Sequence, residues 1–178
     1  MPSPERLAHV VFQTNDVPRL RDWWLNVLEA KVQYGNDRIC FLAYDDEHHR
    51  LALANLADGY KPHDPDTLGM HHVAFTYATL ADLIATYERL RDEDITPWWQ
   101  IHHGPTLSLY YRDPDGNQAE MQVDVYDTVD EANEFMFGPE FAANPIGIEF
   151  NMEDLIARRK AGEPDSELIK RPTTTATS

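Results

Sequence analysis

His9-Val10-Val11-Phe12 and His72-Val73-Ala74-Phe75 are two copies of one short motif set 63 residues apart, and their recurrence decides how the chain is read. Self-similarity at a fixed period marks a repeated supersecondary unit. The segments after the two copies are also alike. Asn15-Asp16 offers an N-cap for a helix over Val17 to Leu28, whose Leu20, Trp24, Val27 and Leu28 fall at helical intervals. Thr79 does the same for Leu80 to Arg91, with Leu80, Leu83, Ile84, Tyr87 and Leu90 along one face. Three strand-like segments come after each helix: Lys31 to Tyr34, Arg38 to Tyr44 and Arg50 to Leu56, then Thr96 to His102, Thr106 to Arg112 and Gln118 to Asp124. The unit is strand, helix, three strands, present twice, with module one over about 6–57 and module two over about 69–125.

Ala57 to Gly69, carrying Gly59, Pro62, Pro65 and Gly69, reads as the linker between modules. Together the modules make a predicted domain over 1–125. Residues 126–178 form a predicted C-terminal helical extension, with amphipathic helices over Asp127 to Phe137 and Met152 to Ala161 and a tail from Lys170 onward. A lid, brace or oligomer contact is the expected role of this extension.

Composition narrows the function. Fifteen Lys and Arg stand against 31 Asp and Glu in 178 residues, a formal charge of -16. Such a chain repels phosphate backbones and anionic lipid, so neither nucleic acid nor membrane is expected as a partner. No apolar run approaches a membrane span and no signal segment opens the chain, so a cytoplasmic protein is expected. The one cysteine, Cys40, lies in a strand-like segment and reads as a small buried thiol.

The chemistry-bearing residues cluster. Histidines fall in the pairs His48-His49, His71-His72 and His102-His103, with His9 and His63 apart. His9 and His72 occupy equivalent places in the two modules. Glu120 sits among Ala119, Met121 and Val123, an odd place for an unpaired carboxylate because burying one is costly. A metal ion would resolve that cost. Two imidazoles and one carboxylate on one face, with the remaining positions open, make the triad favoured by non-haem Fe(II) oxygenases. Module one has no Asp or Glu between Arg50 and Leu56, so a fourth protein ligand, as a glyoxalase-type lyase would use, has no obvious source. The predicted fold class is therefore α+β: two βαβββ modules with a helical extension.

The two-module layout resembles the vicinal-oxygen-chelate (glyoxalase/bleomycin resistance/dioxygenase) superfamily, which implies that the two βαβββ modules form an open, cupped mixed β-sheet around a metal site. The stretch Ile101 to Glu120 resembles the type I extradiol ring-cleavage dioxygenase signature through His103, Leu109-Tyr110, Asp113-Pro114, Gly116 and Glu120. The chain length resembles the single-domain form of those enzymes. That resemblance implies His9, His72 and Glu120 as metal ligands, His49 as an acid-base histidine, and His103 and Tyr110 as the remaining pair beside the metal. His63 is an alternative for the acid-base role. His48, His71 and His102 are expected to point away on opposite strand faces; Trp98 and Trp99 are each expected to pack into the core, with a split in which one lines the pocket as the alternative.

The implied cofactor is Fe(II), with Mn(II) as an alternative. The implied partners are a catecholic substrate and O2, and a homo-oligomer is expected. A metal-dependent lyase, isomerase or epimerase on the same fold, or a non-catalytic small-molecule binding protein, are the rival readings.

Overall fold

The computed structural model describes residues 2–57, 59–61, 64 and 66–172. They fall into two compact units, Met1–Gly69 with Asp113–Asn117, and Met70–Arg112 with Gln118–Ser178. Each module builds one mixed sheet and one helix packed on it.

Unit one runs β1 (Val10–Gln13), α1 (Val17–Leu28), β2 (Lys31–Gly35), β3 (Ile39–Ala43) and β4 (Leu51–Ala54), with strand order β1-β4-β3-β2. β1 lies parallel to β4, and the other pairs are antiparallel. Helix α1 starts where expected because the Asp16 carboxylate accepts Arg19 N–H at 3.0 Å. Its buried face, Val17, Leu20, Trp24 and Val27, keeps the helical period and lies against the sheet. Trp24 stacks on Phe12 at 5.1 Å, and its Nε1 donates to Asp113 Oδ2 at 3.3 Å. Asp113 belongs to the turn Asp113–Asn117, whose tightness comes from that same carboxylate accepting Asp115 N and Asn117 N, while Gly116 takes φ +90°. Cys40 is 1% exposed with its Sγ near Gly35, and burial raises its pKa, as fits a structural thiol.

Unit two repeats the plan: β5 (Val73–Tyr77), α2 (Leu80–Asp92), β6 (Trp99–His102), β7 (Thr106–Arg112) and β8 (Gln118–Asp124). The order β5-β8-β7-β6 matches unit one strand for strand, including the parallel β5–β8 pair, and continues into β9 (Ile148–Glu149). One sheet face carries Leu107, Leu109, Tyr111, Ala119, Met121 and Val123, all buried, and helix α2 packs against this sheet. The other face carries a polar row that includes Tyr110 and Glu120. Period-two alternation thus divides core from site.

Beyond Asp124 come α3 (Val129–Met136), α4 (Pro139–Ala143), β9, α5 (Met152–Lys160) and α6 (Asp165–Leu168). The extension belongs to unit two rather than standing alone: β9 adds to β6, and Met152, Leu155, Ile156 and Leu168 are buried. Sequence patterning identifies α3 and α5 but not β9, since two residues carry no periodicity.

Candidate active site

Strand pairing alone assembles the centre of unit two. Ala74 pairs with Glu120, Glu120 with Tyr110, and Tyr110 with Trp99, so one cross-strand row runs over β5, β8, β7 and β6. Directly opposed residues share a face. His72 lies one residue before β5 and His103 one residue after β6, and their contacts rather than strand alternation place them beside this row. The Glu120 side chain is only 5% exposed, yet its Oε2 lies 2.9 Å from His72 Nε2 and its Oε1 4.0 Å from His103 Nε2. Tyr110 Oη is 3.0 Å from His103 Nε2. Aromatic rings close the row, with Tyr110 5.2 Å from His72 and 5.0 Å from Trp99, centroid to centroid.

Electrostatics stem from burial. Tyr110 has its pKa raised, first by desolvation and then by the Glu120 charge, so the phenol holds its proton. Desolvation lowers the pKa of His72 against the opposing pull of Glu120. Trp99 Nε1 donates to Glu149 Oε1 at 2.9 Å, and the Arg112 guanidinium lies 4.3 Å over the Trp98 ring. Neither tryptophan packs into the apolar core: Trp98 is 44% exposed and Trp99 half-buried, which corrects the expected core packing.

In unit one His9 and His49 meet at 4.4 Å between ring centroids, and His49 stacks on Phe41 at 4.7 Å. Arg50 fixes this corner by donating to the carbonyls of Leu7 and Ala8 and to Asp45. The His49 pKa is lowered, chiefly by desolvation and next by His9. His63 lies outside the described residues.

The paired histidines obey alternation only where a strand exists. His102, inside β6, does turn away: it is 1% exposed and its Nε2 donates to the Ile169 carbonyl at 2.8 Å. His71 and His48 do not. His71 Nδ1 is 2.7 Å from His72 Nδ1, and the His48 ring lies 4.5 Å from that of His49. Both precede the hydrogen-bonded strands, where period two has no force. Sequence reasoning also missed Ile146, whose carbonyl meets His103 Nδ1 at 2.5 Å; a backbone acceptor leaves no mark in a sequence.

His72, His103, Tyr110 and Glu120 thus come together in unit two, and His9 with His49 in unit one. Among the described residues no three His, Cys, Asp or Glu side chains form a ready-made metal cage. The donor chemistry nonetheless fits a divalent ion. A carboxylate sealed from water beside an imidazole nitrogen is a costly pair that a cation would stabilise, and the second His72 nitrogen already has a neighbour in His71, as ligating histidines require.

Residues 6–121 match the family model of the Glyoxalase/Bleomycin resistance protein/Dioxygenase superfamily. Biphenyl-2,3-diol 1,2-dioxygenase 3 of Rhodococcus globerulus is 48% identical over 93% of this chain and 88% of its own length. Biphenyl-2,3-diol 1,2-dioxygenase 2 of the same organism is 44% identical over 92% and 86%. The chain belongs to this superfamily, among its extradiol dioxygenases. Solved structures agree at the level of fold. A glyoxylase/bleomycin resistance protein/dioxygenase domain from Frankia sp. EAN1pec superposes with TM-score 0.57 at 20% identity, covering 68% of this chain and 99% of that one. A lactoylglutathione lyase from Agrobacterium tumefaciens gives TM-score 0.54 at 18% identity, covering 68% and 96%.

Proposed function

We propose that this extradiol dioxygenase uses Fe(II), with Mn(II) as the alternative, to open the ring of a catechol-type substrate with O2. The observation that carries this reading is the buried Glu120 with His72, His103 and Tyr110 gathered around it on one sheet face. The relatives act on biphenyl-2,3-diol, so an aryl-substituted catechol is the first substrate to try. The lyase, isomerase and binding-protein readings are not favoured by those relatives.

His9, His72 and Glu120 would hold the metal. When bound, the metal supplies the one-electron chemistry that lets ground-state dioxygen react with an aromatic ring. The chain's own groups handle positioning and protons. His49, held uncharged by its setting, takes a proton from a substrate hydroxyl. Tyr110, still protonated, orients the substrate oxygens by donating to them, and His103 Nε2 exchanges a proton with Tyr110 across 3.0 Å. Trp99 and Tyr110 offer ring faces to an aromatic substrate. In the overall reaction both oxygen atoms enter the product and a ring carbon–carbon bond beside the hydroxyls breaks, giving a ring-opened semialdehyde acid.

Cytoplasmic location and a homo-oligomer belong to the same proposal. Among the described residues no helix is long and apolar enough to cross a membrane.

Anaerobic reconstitution with Fe(II), then addition of air and either biphenyl-2,3-diol or catechol, tests the reading. Oxygen uptake with a yellow ring-opened product is expected. Bound iron without oxygen uptake on any catechol would overturn it.

A further inference from the structure

His102 and His103 are neighbours facing opposite ways, and each is tied to a main-chain carbonyl of the C-terminal extension. His102 Nε2 meets the Ile169 carbonyl at 2.8 Å, and His103 Nδ1 meets the Ile146 carbonyl at 2.5 Å. A carbonyl only accepts, so the ring nitrogen facing it must carry the hydrogen. For His102 the assignment closes on itself, because Gly104 N–H donates to its other nitrogen at 3.1 Å. A neutral His103 with hydrogen on Nδ1 then has a lone pair on Nε2, the atom 3.0 Å from Tyr110 Oη and 4.0 Å from Glu120.

The carbonyl that imposes this tautomer is itself braced. Asn144 brackets the loop, its Nδ2 donating to the Gly147 carbonyl at 2.6 Å and its Oδ1 accepting Gly147 N–H at 3.0 Å. Gly147 takes φ +120°, and a β-carbon there would collide with the His102 carbonyl, so the loop lies directly on the end of β6. From Ile148 the chain enters β9 and pairs with His102. On the other side Arg171, its side chain 6% exposed, donates from Nη2 to the Asn144 carbonyl at 2.9 Å, with its guanidinium 5.4 Å from the Phe135 ring centroid. Phe135 in turn fills the space above Gly104, where φ is +109° and any β-carbon would strike the ring. Arg171 Nε and Nη1 lack hydrogen-bond partners among the described residues, and Glu140 Oε1 stands 3.7 Å from Nη1. The buried guanidinium is therefore held chiefly through its bond to Asn144. That is a costly arrangement for a merely decorative tail.

We propose that Asn144, Gly147 and Arg171 are positioning residues that press the Ile146 carbonyl against His103 Nδ1. They thereby fix the tautomer in which Nε2 presents a lone pair to Tyr110 and to bound substrate. His103 then works first as a proton acceptor, and donates from Nε2 only after it has received a proton. The extension sets which way the proton moves. The catalytic part of this inference rests on the dioxygenase reading above; the tautomer does not.

The test is nitrogen NMR of the full chain labelled with 15N-histidine, before any metal is added. His103 is expected as the Nδ1–H form and His102 as the Nε2–H form, the latter serving as internal control. Asn144→Ala should convert His103 to a mixture of tautomers and lower kcat by about tenfold while KM stays within about twofold. Arg171→Gln should do the same to a smaller degree, and it decides the matter if Asn144→Ala does not fold. An Nε2–H His103 in the parent, or an unchanged Nδ1–H signal in both variants, overturns the proposal. Failure of the parent to consume oxygen would instead strike the dioxygenase reading and leave the tautomer result standing.

Discussion

The two modules share one topology and differ in what they place at equivalent points. In unit two the residue two beyond the motif histidine, Ala74, pairs with Glu120; in unit one the corresponding Val11 pairs with Ala52. One copy therefore carries a buried carboxylate where the other carries a methyl group. The outer edges differ too. β2 is exposed along its whole length, whereas the matching strand β6 is covered by β9 and leads into both anchored histidines. A duplicated scaffold can thus carry a buried carboxylate with its histidine and tyrosine neighbours in one copy and a pair of imidazoles in the other.

The largest expected effect breaks that asymmetry directly. Glu120→Ala should lower metal affinity by more than about 100-fold, beyond the range typical of residues that only support a ligand, whereas Tyr110→Phe should leave metal content intact and slow turnover by roughly 100-fold. Metal analysis of dialysed protein beside oxygen-electrode rates separates the two. Equal metal content in Glu120→Ala and the parent would remove Glu120 from the ligand set.

Next in size is a test of what the copies hold in common. Leu20 and Leu83 sit at the fourth position of α1 and α2, and both are 0% exposed. Each Leu→Ala change should cost about 2–5 kcal/mol through lost burial and a residual cavity. Urea unfolding checks this; a cost in one helix only would mean that the two cores are not equivalent.

The smallest effect sharpens a finer contrast. Trp24 and Tyr87 occupy the eighth position of their helices, and each gives its polar tip to a carboxylate, Asp113 and Glu153 respectively. Only the tyrosine can ionise. Its pKa is pushed up to about 12, first by burial and then by the bond to Glu153. Folding therefore favours the neutral phenol, and this contribution is complete below the unfolded value of 10.0 and lost as pH rises to about 12. Tyr87→Phe should flatten that part of the alkaline stability profile, as measured by thermal melts.

Much of this was legible in the sequence because it rests on periodicity. Helix α1 and strands β7 and β8 fall on the segments expected from capping and alternation, and the repeated motif marks the two modules, whose parallel pairs β1–β4 and β5–β8 emerge only in the structure. The facing of Tyr110 and Glu120 is a consequence of the β7–β8 register, whereas His72 and His103 lie just outside β5 and β6 and their approach is seen only in the structure. The features that escaped lie where side-chain pattern has no purchase. His48 and His71 precede their strands, β9 is two residues long, and the partners of His102 and His103 are main-chain carbonyls of Ile169 and Ile146.

Cys40 bears on how such a catalyst ages. Its sulfur is sealed from solvent and its thiolate is disfavoured, so oxidants have little access to the form that reacts with them. A protein that handles dioxygen thus keeps its one thiol out of reach, and disulfide-cleaving reagents should not restore activity lost during storage in air.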